Sequence, residues 1–129
     1  MIRNLISKFN VTQDTTTAET VSSKRASQTP VANEKTHVKP LLSVIVPCYK
    51  VESYLRGTLD TIMAQNEIPI EVIVVDDGSP DRSGDIAREY AANDARIVVI
   101  TQANAGLGAA RNTGIKAATA KYLTFADSD

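Results

Sequence analysis

Three short stretches carry residue types that could do chemistry together. Asp127-Ser128-Asp129 follows an apolar run that reads as a buried strand, so two carboxylates separated by one small residue stand at a strand's carboxyl end. Carboxylates there, with no obvious cationic partner nearby in sequence, are costly unless solvated or paired with a cation. A hard divalent cation bridging to phosphate oxygens is one such partner; a solvated loop capping the next element is the plainer reading. Asp76-Asp77-Gly78-Ser79 ends a second apolar run. Either acid could accept hydrogen bonds from a base imide or a ribose hydroxyl, or assist the cap of the helix that follows. Strand alternation aims the two side chains in opposite directions, and Gly78 opens a turn to unusual backbone angles. Pro47-Cys48-Tyr49 follows a third run, where the Tyr49 ring could stack on a base or lie as a lid over the next helix. Arg111 could balance phosphate charge or pair with an acid of the sheet. Cys48 has no His or Lys close in sequence to lower its pKa, which fits a space-filling role.

These groups act together only if the fold gathers them. Residues 41–46 form a continuous apolar run closed by Pro47, as expected for a strand buried on both faces of a parallel sheet. Val51, Tyr54, Leu55, Leu59, Ile62 and Met63 follow a helical period, predicting a helix over about 52–65. Strands are expected at 70–75, 97–100 and 121–126. Ser79-Pro80-Asp81 reads as a helix start, with Ser as N-cap and Pro at the first helical position. Gly106 and Gly108 precede an Ala-rich helix reaching about Ala118. Strand–helix alternation of this kind predicts an α/β, Rossmann-like, mostly parallel sheet flanked by helices. In such sheets ligands bind outside the carboxyl ends of the strands, where the strand order reverses. A strand order of 3-2-1-4 would set all three stretches around one crevice.

The rest of the chain sets limits. Residues 1–40 hold six Lys/Arg against three Asp/Glu, and residues 41–129 eight against twelve. The acidic balance of the second part argues against a nucleic-acid partner, which needs a basic face. A single cysteine excludes an internal disulfide and fits a reducing compartment. Ile2, Leu5, Ile6 and Phe9 have the spacing of a short amphipathic helix, a candidate for peripheral membrane contact through residues 2–9. Residues 10–39 are polar without period, so residues 1–40 are expected to be a flexible, disordered tail. His37 has no companion ligand and reads as solvated. No apolar run approaches the ~20 residues that cross a bilayer, and a signal peptide's apolar core is missing. The expectation is a cytoplasmic protein, with membrane association at the cytoplasmic face.

Taken together, the motifs resemble the nucleotide-sugar-binding part of the family-2 glycosyltransferases, of the GT-A fold. The resemblance covers residues 41–129 and rests on Ser43-Val44-Ile45-Val46-Pro47-Cys48-Tyr49, on Val74-Val75-Asp76-Asp77-Gly78-Ser79, on the stretch from Asn104 through Arg111 to Gly114, and on Asp127-Ser128-Asp129. It implies a nucleotide diphosphate sugar donor and a hydroxyl acceptor of unspecified kind. It also implies that Pro47, Tyr49 and Asp77 hold the nucleoside. Asp127 and Asp129 would hold ribose and a divalent cation, Mn2+ or Mg2+, with Asp129 ahead of Asp127 as the direct ligand. Lys50 stands where the family commonly has Asn, and Pro80 where it has Thr. The family's general base lies beyond its Asp-x-Asp, so no catalytic base is expected in this chain. A chain ending on its own ligand motif is expected to be the front part of a larger protein, an incomplete GT-A domain. One rival is a phosphorelay receiver, which also places an acid pair after one strand and an Asp two strands later. It is opposed by the extra strand–helix unit before the acid pair. A dinucleotide fingerprint at Gly106-x-Gly108 is opposed by Arg111 in place of the third glycine.

Overall fold

The computed structural model describes residues 39–127. The expectations placed on the tail, and on Asp129, lie outside the described residues. Four strands, β1 (Leu42–Cys48), β2 (Ile70–Asp76), β3 (Ile97–Thr101) and β4 (Tyr122–Phe125), alternate with three helices, α1 (Glu52–Met63), α2 (Ser83–Asn93) and α3 (Leu107–Ala117). The sheet order is β3-β2-β1-β4 and every pairing is parallel. The α/β reading and the 3-2-1-4 order are therefore both found. Among the described residues no helix is long and apolar enough to cross a membrane.

The two central strands are apolar without alternation because both of their faces are covered. All seven residues of β1 are buried, as is every residue of β2 except Glu71. On one face Ile73 and Val75 pack with Ala110 of α3 and with Ala117 and Ala118. Gly114 lets α3 lie directly on β1, since a Cβ there would stand 2.3 Å from Cγ2 of Ile45. On the other face Asp76 meets α2 at Gly84, where a Cβ would stand 2.3 Å from Oδ2 of Asp76.

At the amino end of the sheet, Glu71 ties the α3–β4 turn down. It accepts from Ser43 Oγ at 2.5 Å, Thr119 N at 2.7 Å and Thr119 Oγ1 at 2.9 Å. Burial pushes this carboxyl up, but those hydrogen bonds outweigh it and hold the group below its ordinary range.

Two local expectations are corrected. Pro47 lies inside β1 and does not close it. The β1–β2 register runs on to Cys48 and Asp76, whereas β1 pairs with β4 only from Leu42 to Ile45. Backbone groups of successive strand residues face opposite sides. Ile45 O accepts from Ala126 N at 2.9 Å on the β4 side, and Cys48 O accepts from Asp77 N at 3.0 Å on the β2 side. Pro47 thus turns its nitrogen, which carries no hydrogen, toward β4. The β1–β4 ladder ends there and the sheet opens.

The second correction concerns α2, which starts at Ser83 with Arg82 as its N-cap residue, not at Ser79. The residue that serves the helix start is Asp81, whose Oδ1 accepts from Ser83 N at 3.0 Å and whose Oδ2 accepts from Glu52 N at 3.3 Å. Glu52 returns the contact, accepting from Arg82 N at 2.8 Å. Ser83 Oγ accepts from Val51 N at 2.9 Å, and Ser79 Oγ from Lys50 N at 3.2 Å. The loops that open α1 and α2 are therefore fastened to each other.

Candidate functional site

Where β1 and β4 part, a cleft of about 400 Å3 opens at the carboxyl end of the sheet. This is the switch point of the strand order, where α/β sheets hold their ligands. Pro47, Cys48 and Tyr49 wall it from β1, Asp77 from β2, and Asp127 from the end of β4. Asn104, Gly106, Leu107 and Ala110 close the side formed by α3 and the loop before it. Of the residues singled out from sequence, Pro47, Tyr49, Asp77 and Asp127 thus line one cavity. Asn104, Leu107 and Ala110 join them, residues to which the sequence alone assigns no role. The clue to Asn104 was its place two residues before a glycine that opens a helix.

Tyr49 is 41% exposed, with one ring face approached by Lys50 Nζ at 5.4 Å from the centroid. Lys50 itself has φ +57°, a left-handed conformation that costs a non-glycine residue ~1–2 kcal/mol and that Asn tolerates better. Lys50→Asn is expected to stabilise the fold by about 0.5 kcal/mol, the lost ring contact offsetting part of the relief. A thermal melt checks this, and a lower melting temperature would contradict it.

Asp77 is more committed than its sequence context suggests. It is 3% exposed. Its Oδ1 accepts from Gln102 Nε2 at 2.8 Å and from Ala105 N at 2.9 Å. Its Oδ2 accepts from Gly106 N at 2.9 Å and from Asn104 Nδ2 at 3.3 Å. Burial raises this carboxyl's pKa, yet the bonds from Gln102, Ala105 and Gly106 outweigh it and leave the group below its ordinary value. The carboxylate seats the whole loop that forms one cleft wall. Gly78 makes this approach possible, with φ +73° and the space of its missing Cβ only 2.8 Å from Asn104 N. Asp76 points the other way, as strand alternation requires, and accepts from Ser79 N at 2.9 Å. It belongs to the turn and not to the cleft.

Asp127 does have a cationic partner, contrary to the reading from sequence neighbours. Arg111 Nη2 lies 3.3 Å from Asp127 Oδ1, and the guanidinium sits 5.3 Å from the centroid of the Phe125 ring. The pairing of Arg111 with an acid of the sheet is thus the arrangement found. Cys48 is buried, and burial first, then the charges of Asp76, Asp81 and Asp77, push its thiol up to about 12. It fills space and is no nucleophile at neutral pH.

Apart from the Cys48 thiol, the donors facing the cleft are hard oxygens, and Asp127 makes no hydrogen bond beyond the one from Arg111 among the described residues. Among those residues no three His, Cys, Asp or Glu converge into a metal cage. One or two carboxylates completed by substrate phosphates suffice for a magnesium-type site, so the donor set fits such an ion without demanding it.

Known proteins resemble this chain in sequence and in fold. A family model described as Glycosyl transferase family 2 matches residues 43–129. The chain is 56% identical over 90 residues to the Bacillus subtilis protein described as uncharacterized glycosyltransferase EpsJ, which covers 70% of this chain and 26% of that protein. Among solved structures it resembles Staphylococcus aureus TarS 1–349 in complex with UDP-GlcNAc, with TM-score 0.63 and 35% identity over 69% of this chain and 26% of that one. It also resembles the mannosyltransferase PcManGT of Pyrobaculum calidifontis in complex with GDP-Man and Mn2+, with TM-score 0.64 and 27% identity over 83% of this chain and 32% of that one. The chain thus spans about a quarter of the length of relatives such as EpsJ. With the family's match running from β1 to the Asp-x-Asp, and the fold shared with solved relatives, this chain belongs to glycosyl transferase family 2.

Proposed function

We propose that the chain forms the donor-nucleotide side of a sugar-transfer site, taking a nucleotide diphosphate sugar whose glycosyl group passes to a hydroxyl acceptor. The observation that carries this reading is the convergence of Pro47, Tyr49, Asp77 and Asp127 on one cleft where the sheet opens. Tyr49 offers a ring to the base. Asp77 and Asn104 present a polar wall for the nucleoside, with the carboxylate holding the wall in place. Asp127 faces ribose and diphosphate. Mn2+ or Mg2+ belongs to the proposal, held by Asp127 and Asp129 with the diphosphate; bound there it would supply Lewis-acid stabilisation of charge on the leaving group. The resemblance points to an inverting displacement, in which a general base takes the acceptor hydroxyl's proton, and no residue of the cleft is assigned that task. Cell-surface polysaccharide or glycoconjugate synthesis is the setting the resemblance favours. Peripheral membrane association through Ile2, Leu5, Ile6 and Phe9 is part of the same proposal, supported by sequence pattern alone.

The test is calorimetric titration of the chain with UDP, GDP, CDP and NAD in the presence of Mn2+. One nucleoside diphosphate is expected to bind, and Tyr49→Ala to weaken it about tenfold through lost stacking. No binding by any of the three diphosphates, or binding indifferent to Tyr49→Ala, would overturn the proposal.

A further inference from the structure

Two arginines of this domain sit in contrasting surroundings. Arg96 is fully employed: Nε donates to Asp94 Oδ1 at 3.1 Å and Nη2 to Asp94 Oδ2 at 2.9 Å, while Nη1 and Nη2 reach Gln65 O at 3.3 Å and Met63 O at 3.2 Å. That is a structural clamp on the end of α1. Arg111 makes one contact of this kind, a single-pronged one to Asp127 Oδ1 at 3.3 Å. Charge-assisted pairs built for permanence are shorter and two-pronged. Its Nε is buried and has no acceptor among the described residues, a state that folded proteins seldom leave unexplained. The guanidinium rests instead on the Phe125 ring, a support that does not depend on Asp127 at all.

From this contrast we infer that Arg111 is an exchangeable counter-cation for Asp127: it neutralises the carboxylate at the cleft wall and yields it when a divalent cation arrives. Arg111 is then a positioning residue, acting through Asp127, and it sets how strongly the cleft holds a metal in the absence of nucleotide. A cation at Asp127 must contend with the guanidinium's positive charge, and phosphate oxygens arriving with the donor add ligands that favour the cation. Metal retention therefore becomes conditional on the donor. This inference rests on the reading of Asp127 as a cation ligand.

The experiment is direct titration of the full chain with Mn2+ alone, following the loss of the free-ion electron paramagnetic resonance signal. Arg111→Met keeps an unbranched apolar chain over Phe125 and removes the charge. It is expected to tighten Mn2+ binding about three- to fivefold, the range of an exposed ion pair. Arg111→Lys keeps the charge and should match the wild type. In an Asp127→Asn background, Arg111→Met should change nothing. Equal Mn2+ affinity in the wild type and Arg111→Met would overturn the inference alone. So would a gain that persists without Asp127, or one shared by Arg111→Lys. No Mn2+ binding by either wild type or Arg111→Met would overturn the cation reading of the cleft as well. Nucleotide binding without metal would survive that result, so the two failures are distinguishable.

Discussion

Asp77→Ala is expected to destabilise the domain by about 3–5 kcal/mol and to abolish nucleotide binding with it. The substitution removes no large apolar group; its effect comes from what it strands. Ala105 N, Gly106 N and Gln102 Nε2 all donate to this carboxylate at 2.8 to 2.9 Å. Without it these donors stay in a part-buried setting where water cannot serve them equally. The loop they belong to is a wall of the cleft, so stability and binding fall together. Asp77→Asn, which keeps one acceptor oxygen but turns an amide toward donors, should lose about half as much. The sign of the pH dependence follows from the same bonds. The folded group lies below its ordinary value of 3.8, so its contribution is complete above that value and is lost as pH falls through the lower folded one. Urea denaturation between pH 7 and pH 3 checks both points. The wild type should lose stability on acidification more steeply than Asp77→Ala. Parallel curves, or a loss below 1 kcal/mol at pH 7, would contradict the role given to Asp77.

Gly114→Ala is the second large expected effect, about 2–3 kcal/mol from the addition of one methyl group. Helix propensity alone favours alanine by about 1 kcal/mol, so packing must reverse the usual sign. The added Cβ would stand 2.3 Å from Ile45 Cγ2 and 3.2 Å from Cγ1. Ile45 is wholly buried on a central strand with β2 and β4 on either side, and a β-branched side chain in a strand has little rotamer freedom to retreat. Helix α3 must lift off β1, carrying Ala110 away from the cleft. Ile45→Ala alone should cost about 2–5 kcal/mol as a cavity. Combined with Gly114→Ala it should cost less than the sum by at least about 1 kcal/mol, because each change supplies the volume the other lacks. Chemical denaturation of the four proteins measures the cycle. Simple additivity would show that the close approach is not what glycine provides.

Most of the architecture was legible because its signals are local or composition-driven. Uninterrupted apolar runs at β1 and β2 announce strands covered on both faces, and their alternation with helical periods leaves few topologies open. That is enough to bring Pro47, Tyr49, Asp77 and Asp127 to one end of the sheet. What escaped depends on partners distant in the chain. Arg111 could be read as the partner of an acid, but which acid was not legible, because Asp127 lies 16 residues later in the chain. Asp77 looked open to a ligand because the donors that fill it come 25 to 29 residues later. The Ser-Pro-Asp signature misplaced the start of α2 since Asp81 divides its oxygens between its own helix and another one. Pro47 read as a strand end by rule, whereas here it ends only one of two ladders.

The reciprocal capping of α1 and α2 bears on how this domain assembles. Glu52 N is satisfied by an acid from the α2 loop, and Arg82 N by an acid from α1. Each helix start thus draws one backbone partner from the other's loop, and an isolated helix of 11 or 12 residues is marginal in water even with a good cap. Each therefore gains part of its amino-terminal stability only after β1 and β2 have docked side by side. The β1–α1–β2–α2 half consequently behaves as one cooperative unit, with long-range closure preceding local reward. Transient opening of either helix start exposes the other. Both starts adjoin the Tyr49 wall of the cleft, so a ligand resting on that wall would protect two helices at once.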